Sequence, residues 1–413
     1  MSGFSFGNYG GKCDGVDLSS IVHEEGSPLY VYSGALIEER YTALDGAIGA
    51  YPHRLHYALK ANSTLELVRL VRDLGGAFDA NSGAEIDVAL RADVDPEDIV
   101  FTGVGKTDAE ISQAVALGLR AINAESVGEL TRVNRIANAQ GVQVPVAIRI
   151  NPDVDAESHP GISTGGRAHK FGVPLDEAGS LCREISDWSG VQLVGVHAHI
   201  GSQITTIEPI RRLAVMMTEF VESLLADGFV LKHIDLGGGL GISYDGEPVL
   251  DINDYSKVIV DAVAATGLQL LLEPGRWIVG PAGVLLATVV DIKPQRSGRY
   301  FVVLDAGMTE LMRPALYDAT HRVEPLLPTV NSEATCDIVG PICETTDVIR
   351  LGCKMPLPEV GDVLAVKDVG AYGASMASNY NRHPLPAEVL VKKGRAELIR
   401  RRQTIDDMLS CEC

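Results

Sequence analysis

Lys60 is the residue of this sequence whose surroundings point most directly to chemistry. It closes a short apolar segment, 55–60, that is typical of a β-strand. A lysine at a strand end is most often a solvated surface residue, but a desolvated lysine has a lowered pKa and can condense with an aldehyde. The position alone leaves both interpretations open.

Three consecutive glycines, Gly237, Gly238 and Gly239, follow the apolar residues 234–236. Such a run allows the backbone to approach a phosphate group and to aim its N–H groups at it, although it also occurs in ordinary tight turns. Ser202 carries a hydroxyl that can donate a hydrogen bond to a phosphate. These residues therefore form a candidate phosphate site.

A carboxylate, Glu273, stands in the sequence Glu273-Pro274-Gly275-Arg276 after another apolar segment. A buried carboxylate needs a partner, and a pyridinium N–H would serve. The carboxylate would keep that ring nitrogen protonated, and the protonated ring accepts electrons from a carbanion. An ordinary ion pair between Glu273 and Arg276 is the competing interpretation.

His197 and His199 are two residues apart on a predicted strand, so their side chains are expected to point to opposite sides. They cannot both bind one metal ion without distortion, and no cluster of cysteines or carboxylates supports them. We therefore predict no metal. Stacking of one flat imidazole on a flat cofactor ring is the better role.

Short apolar runs alternate with amphipathic ones from about residue 55, which predicts a (β/α)8 barrel with a doubly wound open sheet as the alternative. The predicted strands are 55–60, 76–80, 98–103, 120–125, 145–150, 193–200, 233–238 and 269–274. Capping-box patterns predict where helices begin after the strands, at Ser63-x-x-Glu66, Ser82-x-x-Glu85, Thr107-x-x-Glu110 and Ser126-x-x-Glu129. Because chemistry collects at the carboxyl ends of barrel strands, Lys60, the glycines and Glu273 are expected on one rim.

After Arg276 the sequence changes to segments rich in β-branched residues and separated by Gly, Pro and Asp. This pattern predicts a second, mainly antiparallel β domain of Greek-key or sandwich type. The N-terminal run 28–32 is expected to add a strand to it. The predicted division is a barrel over 34–278, and a discontinuous β domain over 1–33 and 279–413 that contributes substrate and dimer-interface residues.

Composition restricts the class of protein. The 413 residues carry a formal charge of −20, which disfavours nucleic acid and anionic membranes as partners. The seven cysteines form no CxxC pair and indicate reduced thiols rather than a disulfide framework. No signal peptide and no membrane-spanning stretch is recognisable, so we predict a cytoplasmic protein.

The motifs resemble those of the fold-type III pyridoxal-phosphate decarboxylases over about 28–391. YALKAN (57–62), HAHIGSQ (197–203), GGGLGI (237–242) and EPGR (273–276) resemble the fold type broadly. The motifs HPGISTGGRAHKFG (159–172), DAGMTELMRPALYDA (305–319), GPICETTD (340–347) and GAYGASMASNYN (370–381) complete the match. Of these, RPALYDA, GPICE and MASNYN resemble the branch that acts on diaminopimelate.

The resemblance implies roles for individual residues. Lys60 would form a Schiff base with pyridoxal 5'-phosphate, His199 would stack on its ring, and Glu273 would pair with its nitrogen. The phosphate would be surrounded by Ser202, Gly237, Gly238, Gly239, Pro274, Gly275, Arg276 and Tyr372. Substrate would be bound by Arg276, Arg313, Tyr317, Tyr372 and Glu344. Cys343 would donate a proton from the partner subunit of an obligate homodimer, with Glu344 also supplied by the partner.

The implied reaction is decarboxylation of meso-2,6-diaminopimelate to L-lysine and CO2. The nearest alternative is a decarboxylase of the same fold that acts on ornithine, arginine or a carboxylated polyamine. Arg313 favours a substrate with a distal carboxylate. A non-catalytic cofactor-binding homologue and a racemase are further alternatives. The presence of Lys60, Glu273 and Cys343 speaks against the first, and the cysteine of GPICE, Cys343, speaks for decarboxylation rather than racemisation.

Overall fold

The computed structural model describes residues 3–7, 10–157, 159–166 and 169–413. Arg167 and Ala168 of the HPGISTGGRAHKFG motif therefore lie outside the described residues. The chain divides into two compact units. The barrel unit comprises 41–242 and 248–275, and the β unit comprises 1–40, 243–247 and 276–413.

Eight parallel strands form the barrel unit's sheet, and each pairs with the next strand along the chain. The last strand pairs with the first, so the sheet is closed. The strands are β1 (His53–Ala58), β2 (Ala77–Ala80), β3 (Ile99–Phe101), β4 (Ala121–Ala124), β5 (Val144–Asn151), β6 (Val191–His197), β7 (His233–Asp235) and β8 (Gln269–Leu272). The predicted barrel is confirmed, and the open sheet is excluded.

A helix follows each of the first seven barrel strands before the next strand begins. These helices are Leu65–Asp73, Gly83–Arg91, Asp108–Leu117, Val127–Gln140, Leu175–Ile185, Ile207–Ala226 and Ile252–Val263. Their buried positions recur at helical spacing, as in Leu67, Leu70 and Val71 of the first, because one stripe of each helix faces the core. Helix Gly34–Ile48 begins in the β unit's first segment and ends in the barrel unit. Strand Val173–Pro174 pairs with β5.

Three of the four predicted helix starts are confirmed. Ser82 and Ser126 accept hydrogen bonds from backbone N–H groups three residues later, and Thr107 forms a complete capping box with Glu110. Each such cap stabilises its helix by about 1 kcal/mol. The prediction at Ser63 is wrong, because that helix begins after Thr64, whose side chain makes no capping hydrogen bond.

The β unit is built on a mainly antiparallel sheet, as predicted. Its strands after the barrel are β9 (Gly283–Pro294), β10 (Tyr300–Leu304), β11 (Val323–Pro325), β12 (Glu333–Val339), β13 (Val348–Pro356), β14 (Val363–Val366), β15 (Ala387–Lys392) and β16 (Arg395–Arg400). The predicted N-terminal strand exists as Leu29–Ser33, and it lies between β9 and β15. Its pairing is antiparallel with β9 and parallel with β15.

The remaining elements of the β unit are short. Its helices are Leu18–Glu25, Arg276–Val279, Arg313–Tyr317 and Ile405–Leu409, and a small sheet joins Phe4–Ser5, Lys12–Cys13 and Val16–Asp17. The core beneath the N-terminal strand contains Leu29, Val31, Leu286 and Val389, all at most 1% exposed. Alternate residues of three neighbouring strands thus bury one face of the sheet.

All seven cysteines are free thiols, and four of them, Cys13, Cys182, Cys336 and Cys353, are buried. Among the described residues, the helices are all too short or too polar to cross a bilayer.

Candidate active site

Lys60 lies in the short 3-10 turn Leu59–Ala61, just beyond β1 and not within the strand as predicted. Its Nζ donates a hydrogen bond to Oδ2 of Asp79 over 3.2 Å. Asp79 is fully buried in β2, and its Oδ2 also accepts from Asn81 over 2.9 Å. The Lys60 side chain is 34% exposed, so a carboxylate orients the amine while a small molecule can still reach it.

A cluster of buried acids and a histidine occupies the carboxyl ends of β6, β7 and β8. Its members are His197, Asp235 and Glu273, and their potential ligand atoms all lie within 4.8 Å of one another. Nε2 of His197 lies 3.2 Å from Oε1 of Glu273. We call these three residues the buried acid–histidine cluster.

The two carboxyl groups of this cluster have opposite pKa shifts. Burial raises the pKa of Asp235 well above its usual value, and the charge of Glu273 raises it further. Burial also opposes ionisation of Glu273, but His197 and Lys60 outweigh it and hold the pKa of Glu273 below its usual range. The cluster therefore keeps a single negative charge on Glu273.

Glu273 offers an acceptor that the described protein does not satisfy. Its Oε1 is buried and receives no hydrogen bond of good geometry from any described residue. An unsatisfied buried acceptor is costly, and a ring N–H of a bound cofactor would satisfy this one. The residues present therefore fit the pyridine nitrogen of pyridoxal phosphate, as the sequence predicts for Glu273.

His199 lies beyond the end of β6, so the expectation that both histidines alternate on one strand is wrong. Its Nδ1 accepts a hydrogen bond from the backbone N–H of Gly238 over 3.1 Å, so that nitrogen carries no proton. Desolvation and the charges of Lys60 and Arg149 hold the pKa of His199 well below its usual value. The ring is therefore neutral, which suits stacking.

The glycines after β7 are packed against the loop that carries His199. The N–H of Ile204 donates to the carbonyl oxygen of Gly239 over 2.8 Å. A Cβ at Gly238 would overlap the carbonyl oxygen of Glu273, so no larger residue fits there without a backbone shift. Ser202 lies in the same loop and is partly buried. The N–H groups of Gly237 and Gly238 donate to Asp235 and His199, so the phosphate site predicted for the three glycines stays a prediction.

The β unit holds a second group of predicted residues, which we call the arginine cluster: Arg276, Arg313, Tyr244 and His321. Nη1 of Arg276 donates to the hydroxyl of Tyr244 over 2.5 Å. The Arg313 guanidinium lies 4.4 Å from the centre of the same ring. Both arginines are buried, at 5% and 4% exposure.

Tyr372 and Tyr317 lie beside this cluster. The ring of Tyr372 is 4.8 Å from the guanidinium of Arg276, and its backbone has a φ of 57°. This left-handed conformation costs a non-glycine residue about 1 kcal/mol or more and is often found at functional sites. Tyr317 is half-buried at the end of the helix that begins with Arg313.

Cys343 and Glu344 are exposed on the loop between β12 and β13. Two residues of the MASNYN motif hold this loop: Asn381 donates to Sγ of Cys343 over 3.3 Å, and Tyr380 donates to Glu344 over 2.7 Å. Hydrogen bonds thus join the GPICE and MASNYN motifs on the protein surface.

The sequence analysis did not identify Asp79, Asp235, Tyr244 and His321 as site residues. Asp79 and Asp235 had a usable signal, because a carboxylate within an apolar strand needs a buried partner. Tyr244 and His321 carry no local signal. They join the arginines only through tertiary structure.

Comparison with known proteins agrees with this geometry. Residues 35–280 match the family model described as "Pyridoxal-dependent decarboxylase, pyridoxal binding domain". A diaminopimelate decarboxylase of Vibrio cholerae is 41% identical and aligns over 96% of this chain and 95% of its own. The Pseudomonas aeruginosa enzyme of the same name is 40% identical over 100% and 99%, respectively.

Solved structures of diaminopimelate decarboxylases also match this chain. The diaminopimelate decarboxylase of M. jannaschii in complex with L-lysine superposes with a TM-score of 0.95 at 35% identity, over 100% of this chain and 99% of that one. The chain therefore belongs to the pyridoxal-dependent decarboxylases, and it is a carboxy-lyase. The two relatives named above, which align over nearly their full length, are diaminopimelate decarboxylases, so the resemblance seen in the motifs is confirmed.

Proposed function

We propose that this chain decarboxylates meso-2,6-diaminopimelate to L-lysine and CO2, in the cytoplasm, with pyridoxal 5'-phosphate bound to Lys60. The assignment of this substrate rests on the environment of Arg313. This arginine is buried, its hydrogen-bond partner is His321, and no acidic side chain of the described residues forms an ion pair with it. A buried cation in that situation favours a ligand that brings its own carboxylate. The relatives named above support the same substrate.

The barrel unit's residues would hold the cofactor. When bound, pyridoxal phosphate supplies an electron-accepting ring for the electron pair that is left when CO2 departs. Glu273 would accept the ring N–H, and neutral His199 would lie against the ring face. Asp79 would orient Nζ of Lys60 for the covalent bond. Ser202, Gly237, Gly238, Gly239, Pro274, Gly275, Arg276 and Tyr372 would surround the phosphate.

The β unit's residues would select the substrate. Arg313 would bind the distal carboxylate through paired N–H groups, with Tyr317 beside it. Arg276 and Tyr372 would contact the substrate and the phosphate. Arg276 directly follows Gly275 of the proposed phosphate site in the sequence. A substrate without a distal carboxylate would leave the Arg313 cation buried and unpaired, which costs binding free energy.

Cys343 would give a proton to the carbon that loses CO2, and Glu344 would bind the distal amine. Both residues are exposed in the single chain. We propose that they serve the active site of the partner subunit in a homodimer. A thiol that can give and recover a proton suits this step.

The direct test is a substrate panel. The purified chain, supplied with pyridoxal phosphate, is expected to release CO2 from meso-diaminopimelate and to form L-lysine. Release only from ornithine, arginine or a carboxylated polyamine would overturn the substrate. Cofactor binding without release from any of them would favour a non-catalytic homologue. A spectrum without lysine-bound cofactor would overturn the whole proposal.

Replacement of Arg313 by alanine is expected to lower kcat/KM for diaminopimelate by roughly 30- to 1,000-fold, the cost of leaving a buried carboxylate unpaired. Cofactor absorbance should stay unchanged, because this residue is assigned to the substrate. Steady-state kinetics and the absorbance spectrum measure the two effects. Arg395→Ala, at an exposed position of β16, is the matched control. Equal loss of cofactor and turnover would contradict the assigned role.

Shared active sites predict complementation between two defective chains. Lys60→Ala and Cys343→Ala are each expected to be nearly inactive. Co-expressed at equal amounts, they should recover about a quarter of wild-type activity, because half of the dimers are mixed and each mixed dimer has one intact site. Activity above that of the separate variants is the measurement. No recovery in mixed dimers would show that Cys343 does not act across the interface.

A further inference from the structure

The arginine cluster contains two buried cations, and one of them, Arg313, lies against the ring of Tyr244 and the imidazole of His321. The Tyr244 ring contacts both, since its centre lies 4.4 Å from the Arg313 guanidinium and 5.8 Å from that of Arg276. Two like charges at one ring repel each other. Burial and the charge of Arg276 lower the pKa of Arg313 to about 10, while the tyrosines oppose this shift. The contacts with Tyr244 and His321 therefore hold Arg313 in place.

His321 is the hydrogen-bond partner that orients Arg313. It is fully buried, and its Nε2 lies 2.7 Å from Nη1 of Arg313. Its Nδ1 lies 2.8 Å from the carbonyl oxygen of Lys367. A guanidinium only donates, and a carbonyl only accepts. Nε2 must therefore be the acceptor, and Nδ1 must carry the proton.

This arrangement fixes the charge of His321 as well as its tautomer. Protonation of Nε2 would add a third positive charge to the arginine cluster, beside Arg276 and Arg313, and would remove the acceptor that Arg313 uses. Burial and the charges of Arg313, Arg276 and Arg350 lower the pKa of His321 to about 3, against the opposing effect of the hydrogen bond to Lys367. The imidazole is neutral throughout the working range of an enzyme.

Contacts with Lys367 and Tyr244 hold His321 in place. Lys367 directly follows β14, so its carbonyl oxygen is fixed by the sheet. The rings of Tyr244 and His321 meet edge to face, with centres 5.0 Å apart. Such aromatic contacts contribute about 0.5–1.5 kcal/mol beyond burial. The guanidinium of Arg313 is thus held from one side by an acceptor that adds no charge.

We propose that His321 is a positioning residue that orients Arg313 for the distal carboxylate of the substrate without neutralising its charge. This inference rests on the proposed function. An acidic residue at this position would also accept from Arg313, but it would compete with the substrate's carboxylate for the cation. The neutral histidine keeps the positive charge available for the ligand.

Two substitutions separate charge from hydrogen bonding. His321→Gln retains a neutral acceptor and is expected to raise the KM for diaminopimelate by about 10-fold or less, with kcat within about threefold. His321→Glu places an anion against Arg313 and is expected to raise KM by about 100-fold or more. Cofactor absorbance and the thermal midpoint report folding. His23→Glu, at an exposed histidine of helix Leu18–Glu25, is the control.

Ligand binding provides the readout that a merely structural role would not change. L-lysine is diaminopimelate without the reacting carboxylate, so it retains the distal one, whereas pentane-1,5-diamine has neither. His321→Glu should raise the Kd of L-lysine in parallel with the KM of diaminopimelate and should leave the Kd of the diamine unchanged. An unchanged KM, equal effects of Gln and Glu, or parallel weakening of the diamine would overturn the inference. A wild-type chain that does not decarboxylate diaminopimelate would instead overturn the proposed function.

Discussion

The Lys60→Ala chain is expected to lose at least about 1,000-fold in kcat with diaminopimelate, because no other amine occupies the end of β1. The variant should also lose the absorbance band of lysine-bound pyridoxal phosphate, and borohydride should no longer fix the cofactor to the protein. Asp79 holds Nζ of Lys60 in the wild type, so the empty position leaves a buried carboxylate. CO2 release, absorbance and mass spectrometry after borohydride treatment measure these effects.

Lys257→Ala is the matched control for that experiment. Lys257 is exposed, forms an ion pair with Asp261 within one helix, and should retain full activity. Covalent cofactor in the Lys60→Ala chain, or wild-type turnover by it, would contradict the assignment of the lysine.

Replacement of Glu273 by glutamine is expected to lower kcat by about 100- to 1,000-fold, the usual effect of removing one preorganised electrostatic contact. The substitution keeps the shape of the side chain and removes the charge that the buried acid–histidine cluster concentrates on Glu273. KM should change little, because the carboxylate is assigned to the cofactor ring and not to the substrate. Separate determination of kcat and KM, with the cofactor content of each preparation, measures the effect.

Two controls make this result specific. Glu222→Gln changes an exposed glutamate of helix Ile207–Ala226 and should leave kcat unchanged. Treatment of the wild type with a chelator should also have no effect. Loss of activity on chelation would assign His197, Asp235 and Glu273 to a metal ion, since their ligand atoms are close enough to hold one.

The barrel was predictable from sequence because each strand and helix carries its own local signal. The strands are short apolar runs, and Ser82, Thr107 and Ser126 mark helix starts by hydrogen bonds within one turn. The β unit was less predictable. Strand β13 alternates Arg350, Gly352 and Lys354 with apolar residues, which is itself a strand signal, but this signal does not show which strand it pairs with. Strand β16 is mostly exposed and is defined by its pairing with β15.

The same difference governs the candidate site. Lys60, Glu273 and the glycines stand at strand ends, so a barrel prediction was enough to place them together. His321 contacts Arg313 only because the chain reverses direction after the short helix Arg313–Tyr317. Its other ring nitrogen binds the carbonyl oxygen of Lys367, which lies at the end of a different strand. Contacts of this kind depend on packing, and no spacing along the chain reports them.

The central position of the N-terminal strand has a consequence for synthesis on the ribosome. Leu29–Ser33 pairs with β15, and the hydroxyl of Tyr32 donates to Glu388 across 356 residues of chain. The barrel sequence is complete long before Glu388 has been made, so it can fold while translation continues. Leu29–Ser33 emerges before the barrel sequence, whereas its partner β15 emerges after it, so this pairing can form only when the barrel sequence has been made. We expect a chaperone that binds exposed apolar segments to bind Leu29–Ser33 during this interval.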